Sequence, residues 1–377
     1  MNPTRKTRVL VVDDSALVRR AISDALSHDP EIEVVGTAMD PYVARDRIRE
    51  LSPDVLTLDI EMPRMDGLTF LQLLQQHRPM PVIVISSTTA SGSEAALRAM
   101  EYGAVDVLCK PTSAYSIGEL ASQLPARIKV AARAKMRPAG TTAAVRTVVR
   151  EPLRSAGVAG TSTRWSSRQL VVIGASTGGT EAVKQVLSGL PGDMPGICIV
   201  QHIPPVFSRA FAERLNRCCD VEVREAVHDD EVRPGLALVA PGDQHMAVEW
   251  AGAGFRVRLN RGPLLHHTRP AVDVLFGSAS TCPGARVVAV LLTGMGCDGA
   301  LGMKKLRDMG ATTIAQNEET CMVYGMPKAA VEMGVVGRVL PLGMIAGAMV
   351  QAVQDQTDRV AGARRSEAEA HGTNQNR

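Results

Sequence analysis

The chain has 377 residues, 45% of them apolar and 3% aromatic, a composition typical of soluble globular domains with aliphatic cores, and its length favours two domains over one. A formal net charge of +3 is too small to argue for a nucleic-acid or membrane partner, and no apolar stretch approaches the length of a membrane span. Seven cysteines without a CxxC pair or a zinc-like spacing to histidine argue against a disulfide framework or structural zinc.

The first residues, Met1 to Arg8, are polar and carry no secretory signal pattern, so reduced thiols in a cytoplasmic protein are expected. Apolar runs then predict strands over 8–12, 32–35, 55–58, 82–85 and 105–108, each separated by a helical pattern. Five strands within about 120 residues fit a compact α/β domain with a doubly wound parallel sheet. Their ends carry a coherent set of side chains: Asp13 and Asp14 after the first, Asp59 after the third, Ser86 after the fourth, and Lys110 with Pro111 after the fifth. In such a sheet these ends share one crevice, so three carboxylates, a hydroxyl and an ammonium converge. One such aspartate alone is more often a helix cap. Crowded carboxylates repel unless a hard cation joins them, and Mg²⁺ binds through carboxylates and phosphate oxygens.

With the motifs Val11-Val12-Asp13-Asp14-Ser15, Asp59-Ile60-Glu61-Met62-Pro63, Met65-Asp66-Gly67 and Lys110-Pro111, residues 8–124 resemble a response-regulator receiver domain, which has a flavodoxin-like fold with a five-stranded parallel sheet. The resemblance implies Asp59 as phosphoacceptor, Asp13, Asp14 and Asp59 as the Mg²⁺ ligands, and Ser86 and Lys110 as contacts of the phosphoryl group. It also implies a histidine kinase of the CheA type as phosphodonor. Val107 stands where the family often has an aromatic switch residue.

From Pro125 the character changes: ten Lys or Arg face one acid, Glu151, as far as Arg168. Residues 120–136 can extend a terminal helix with one basic face, and 137–168 read as a flexible linker. A basic linker can touch DNA, but without aromatic or helix-turn-helix signals a solvated tether is the better reading.

The second half again alternates strands and helices, with strands expected over 170–173, 197–200, 221–225, 236–239, 287–291, 313–315 and 338–340, and a β-hairpin over 246–250 and 256–259. Gly174-Ala175-Ser176-Thr177-Gly178-Gly179 follows the first of these strands and precedes a helical pattern. A serine on such a turn stands clear of its backbone as a nucleophile must, although similar glycines also cradle dinucleotide phosphates. The spacing is not GxGxxG, and Gln201-His202, rather than an acid, closes the next strand. His202 occupies the position after its strand that Ser176 has after its own. Asp298, in Gly294-Met295-Gly296-Cys297-Asp298-Gly299, lies on a third post-strand loop. Serine, histidine and aspartate on three such loops are the inventory of nucleophile, base and orienting carboxylate. Asp273 is the weaker acid candidate, His245 and His266-His267 the other histidines, and Cys297 reads as a packing residue. The order Ser-His-Asp departs from that of α/β-hydrolases.

Gly174–Gly179, Gln201–Pro204 with Phe207, Ala240–Met246, Leu292–Gly302 and Tyr324-Gly325-Met326-Pro327 make residues 169–352 similar to the catalytic domain of the CheB protein-glutamate methylesterases. The resemblance implies a doubly wound α/β methylesterase domain, Ser176 as nucleophile, His202 as base, Asp298 as its partner and the Met295 N–H as oxyanion donor. It further implies demethylation of glutamate methyl esters, and deamidation of glutamines, on methyl-accepting chemoreceptors, switched on by phosphorylation. Ala271 and Asn317 stand where that family often has Ser and Asp. The expected domains are a receiver over 1–124, a basic flexible linker over 125–168, a catalytic domain over 169–354 needing no cofactor of its own, and a disordered tail over 355–377. The alternatives are a phospho-switch that only docks on receptors and a DNA-binding regulator using the linker.

Overall fold

The structure is a computed structural model that describes residues 5–86, 89–110, 114–136 and 165–373. The chain divides into two compact units, Met1–Thr161 and Ser162–Arg377.

The first unit alternates strand and helix without exception: β1 Thr7–Val12, α1 Ala16–Ser27, β2 Ile32–Ala38, α2 Pro41–Leu51, β3 Val55–Asp59, α3 Gly67–His77, β4 Val82–Ser86, α4 Ala90–Glu101, β5 Asp106–Cys109 and α5 Ala114–Ala131. All pairings are parallel, in the order β2-β1-β3-β4-β5. β3 and β4 are buried at every position, because helices on both faces leave no room for a polar alternation. Polar side chains start the helices: the Ser15 hydroxyl accepts the Val18 N–H, Asp40 those of Tyr42 and Val43, and Asp66 that of Thr69. Strand ends thus double as helix starts. α5 runs to Ala131, into the segment from 125 expected as linker but short of the expected 136; of the flexible stretch expected over 137–168, residues 137–164 lie outside the described residues, as does Pro111.

The second unit contains β6 Gln169–Ala175, α6 Gly179–Leu187, β7 Ile197–Gln201, α7 Pro205–Cys218, β8 Glu222–Glu225, β9 Glu231–Val232, β10 Leu236–Val239, β11 His245–Trp250, β12 Phe255–Asn260, α8 Val272–Ser280, β13 Arg286–Leu291, α9 Ala300–Asp308, β14 Thr312–Gln316, α10 Met326–Glu332, β15 Arg338–Leu340 and α11 Leu342–Thr373. Seven strands pair in parallel in the order β15-β14-β13-β6-β7-β10-β8. β6 and β13 are neighbours in register from Gln169↔Arg286 to Gly174↔Leu291, and β7 flanks β6 on the other side. The hairpin β11–β12 forms as expected, but the two-residue β9 adds a third antiparallel strand that no apolar run announces. One core face collects Val172, Val200, Phe255, Phe276, Leu291 and Met303.

The tail expected to be disordered from 355 is helical as far as Thr373. Its polar composition hides an apolar stripe: Ile345, Met349, Ala352 and Val353 are buried, and α11 packs on α6, β13 and β14. Past that stripe, Gln356 Nε2 donates to Val287 O at 3.2 Å, and the buried Gln169 Nε2 donates to Val353 O at 2.8 Å and Thr357 Oγ1 at 3.1 Å. Met349→Ala should therefore destabilise the second unit by about 2–5 kcal/mol in denaturant unfolding. A change within a few tenths would mean that α11 is not docked.

Candidate active site and carboxylate cluster

In the first unit the expected residues meet. Asp13, Asp59 and Ser86 are buried, Asp14 is exposed, and ligand oxygens of Asp13, Asp14 and Asp59 lie within 4.8 Å of one another. Lys110 Nζ sits 2.6 Å from Asp59 Oδ2 and 3.4 Å from Asp13 Oδ2. Its backbone N–H donates to Ser86 O at 2.7 Å, tying the ends of β4 and β5 together. The second oxygens are held by the main chain, Asp13 Oδ1 by the Ser15 N–H and Asp59 Oδ1 by the Glu61 N–H. Burial, the Lys110 hydrogen bond and the neighbouring Asp13 charge act on Asp59 together. Burial and Asp13 win, pushing the Asp59 carboxyl up to about 6. Burial likewise raises Asp13, whereas the Asp59 and Asp13 charges outweigh burial at Lys110 and hold its ammonium above the usual lysine range. Asp13 Oδ2 is buried without a hydrogen-bond partner. Hard oxygen donors, mutual repulsion and a buried carboxylate oxygen that Lys110 reaches only at 3.4 Å all fit a divalent cation.

In the second unit, Ser176 directly follows β6 and His202 directly follows β7, so two adjacent parallel strands deliver them side by side. Ser176 Oγ lies 3.1 Å from His202 Nδ1, and His202 Nε2 lies 2.8 Å from Asp298 Oδ2. An Nε2–H donated to Asp298 leaves Nδ1 to accept the serine proton. Asp298, buried on the loop from β13 to α9, also accepts the N–H groups of Val272 at 2.7 Å and Asp273 at 2.8 Å. It thereby caps the start of α8 from outside that helix. Burial pushes its pKa up, but the His202 hydrogen bond and charge, with these two N–H groups, outweigh it and hold the carboxyl below the usual range.

Glycines bring the loops close enough. Gly178 carries φ +74° at the turn into α6, a left-handed conformation that suits glycine. A Cβ on Gly294 would stand 2.6 Å from Ser176 Cβ, so only glycine lets residue 294 lie this close to the serine. Met295 itself is exposed.

Sequence reasoning missed the side chains that hold these loops. Gln201 Nε2 donates to Ser176 O at 2.8 Å and His202 O at 3.1 Å, linking two strand ends. Thr293 Oγ1 donates to Thr177 O at 3.0 Å, while its N–H is received by Gln316 Oε1 at 2.8 Å. A glutamine closing an apolar strand, as at 201 and 316, is the one signal available. Asp273 pairs not with His202 but with His266, accepting from its Nε2 at 2.8 Å. His245 is structural, with Nδ1 accepting the Ala271 N–H and Nε2 2.9 Å from Pro263 O. Cys297, expected to serve packing, is exposed, with Sγ 3.8 Å from His266 Nδ1. Among the described residues no helix is long and apolar enough to cross a membrane.

Because its folded pKa is raised, Asp59 favours the protonated folded state. Its contribution to stability is full below the ordinary value of 3.8 and is lost as pH rises through about 6. A carbon-13 titration of the carboxyls should show one aspartate with a midpoint near 6, absent in Asp59→Asn. That variant should lose less stability than the parent between pH 4 and 7; identical pH profiles would contradict the geometry.

Residues 171–349 match the family model described as CheB methylesterase, and residues 9–121 match that of the response regulator receiver domain. The protein-glutamate methylesterase/protein-glutamine glutaminase 2 of Syntrophus aciditrophicus (strain SB) is 51% identical over 348 residues, which span 92% of this chain and 99% of that one. Its counterpart in Pseudomonas aeruginosa is 50% identical over 91% of this chain and 96% of its own, and that of Salmonella typhimurium is 47% identical over 92% and 96%. With the parallel receiver sheet preceding the seven-stranded unit, these likenesses show that the chain belongs to the CheB methylesterase family and carries an N-terminal response-regulator receiver domain.

Proposed function

We propose that the chain hydrolyses glutamate methyl esters, and deamidates glutamines, on methyl-accepting chemoreceptors, under the control of phosphorylation at Asp59. The observation that carries this reading is the unbroken relay from Ser176 Oγ through His202 to Asp298, with links of 3.1 and 2.8 Å. Ser176 attacks the ester carbonyl while His202 Nδ1 takes its proton. Asp298 keeps the ring oriented and stabilises the imidazolium that forms. The peptide N–H of Met295, the residue after the Gly294 that packs on Ser176, would meet the developing oxyanion. Collapse of that intermediate expels methanol protonated by His202, and water activated by the same nitrogen then frees the glutamate. A glutamine substrate follows the same course and releases ammonia. A protein that only docked would have no use for a serine so aligned.

In the receiver, Asp13, Asp14 and Asp59 would hold Mg²⁺, which neutralises the incoming phosphoryl oxygens. Lys110 meets the same oxygens with a fixed positive charge, and the Ser86 hydroxyl adds a hydrogen bond. A phosphodonor of the CheA kinase type would supply the group, adding about −1.5 to −2 charges at Asp59. The likeness to relatives named for this activity, over more than nine-tenths of the chain, supports the same reading.

Methanol release from methylated receptor membranes tests the catalytic half. Ser176→Ala should abolish it, and Asp298→Asn should lower it on the order of 10⁴-fold, the scale seen when a triad aspartate is neutralised. Substantial turnover by Ser176→Ala would remove the serine from its role. The regulatory half predicts that acetyl phosphate with Mg²⁺ raises methanol release by the parent but not by Asp59→Asn. Equal stimulation of both would place the switch elsewhere.

A further inference from the structure

Beside the relay just described runs a second one that the proposed hydrolysis does not use. Cys297 is exposed, and its Sγ lies 3.8 Å from His266 Nδ1. His266 Nε2 lies 2.8 Å from Asp273 Oδ2, and the other oxygen of Asp273 accepts the Gly302 N–H at 2.6 Å. Thiol, imidazole and anchored carboxylate therefore stand in series, as Ser176, His202 and Asp298 do. An Nε2–H given to Asp273 leaves Nδ1 bare and facing the sulfur, where it can take the thiol proton. Asp273 stabilises the imidazolium that results. Both His266 and its neighbour His267 hold positive φ, +51° and +61°, which the surrounding structure must impose on non-glycine residues.

The two relays also adjoin each other. His266 Nε2 is 3.8 Å from Asp298 Oδ1, and Cys297 precedes Asp298 in the chain. The loop that presents the thiol carries Met295 and Asp298 on either side of it. Left-handed glycines, Gly296 at φ +83° and Gly299 at φ +88°, fix its course. A group added to Cys297 therefore sits one residue from Asp298 and two from Met295.

We propose that Cys297 is a reactive thiol, activated by His266 and Asp273, whose reversible oxidation by a hydroperoxide turns down hydrolysis at Ser176; the inhibitory half rests on the esterase reading above. The thiol proton passes to His266 Nδ1, and the thiolate attacks one peroxide oxygen. An S–O bond forms, the O–O bond breaks, and the leaving hydroxide (an alkoxide, where the hydroperoxide is organic) takes the proton from His266 and departs as water or alcohol. Sulfur loses two electrons and the peroxide gains them, giving a sulfenic acid. A small thiol condenses with it, losing water, and a second thiol then releases Cys297 and leaves as the disulfide.

Limited alkylation of the full chain with iodoacetamide at pH 7, followed by peptide mapping, reads the thiol without reference to hydrolysis. Cys218 is the internal standard, because it is exposed and its contacts are Leu215 O and Cys219 Sγ rather than an imidazole. An ordinary thiol is only a few per cent thiolate at pH 7, so Cys297 should react at least about tenfold faster than Cys218. His266→Gln should bring Cys297 down to the Cys218 rate while leaving Cys218 unchanged. Equal rates in the parent, or no slowing in His266→Gln, would overturn the activation. Hydrogen peroxide should then depress methanol release by the parent, dithiothreitol should restore it, and Cys297→Ser should keep its release in peroxide. Peroxide sensitivity undiminished in Cys297→Ser would overturn the switch. A chain that alkylates fast at Cys297 yet releases no methanol in any state would refute the esterase reading and the inhibitory half, and leave the thiol's reactivity established.

Discussion

A parallel strand hands its chain back only through a crossover, so every strand of a parallel sheet releases its following loop at the same edge. That constraint builds both sites of this molecule. In the receiver it gathers Asp13, Asp59, Ser86 and Lys110 from four strands whose sequence positions span 97 residues. In the catalytic unit it gathers Ser176, His202 and Asp298 from β6, β7 and β13, which are direct neighbours in the sheet. Crossovers are right-handed and their helices cover the faces, so the strands can be uniformly apolar and the chemistry is confined to their ends.

The two sites solve the problem of a buried carboxylate in opposite ways. Asp298 is given three donors, one imidazole and two backbone N–H groups, and its charge is stabilised despite burial. Asp59 is given one ammonium, one backbone N–H and a second carboxylate as neighbour, and its charge remains costly. The first arrangement suits a group that must stay ionised through a reaction cycle. The second suits one that gains by meeting a cation or by forming a bond to an electrophilic phosphorus.

Much of this was legible in the chain. Strands buried on both faces write themselves as unbroken apolar runs, and the candidate site residues stand at their ends or, like Asp298, on the loop that follows, so the runs locate the side chains as well. The seven principal strands of the second sheet were each anticipated, as was the hairpin. What stayed hidden depends on partners far apart in sequence. Gln316 reaches back 23 residues to Thr293, and His266 meets both Asp273 and Cys297 by a turn of the loop that no periodicity encodes. Cys297 looked inert for that reason. β9 is too short to show a pattern, and the stripe of α11 is diluted by glycine, alanine and glutamine until the strands beneath it are known.

Asp298 serves two masters: the same carboxylate that orients His202 holds the first N–H groups of α8. Hydrolytic competence and local folding therefore share an atom. If the start of α8 frays, Asp298 keeps only the imidazole of its three donors, and its buried charge becomes costly. On the proposed mechanism, loosening around α8 and loss of hydrolysis are then one event.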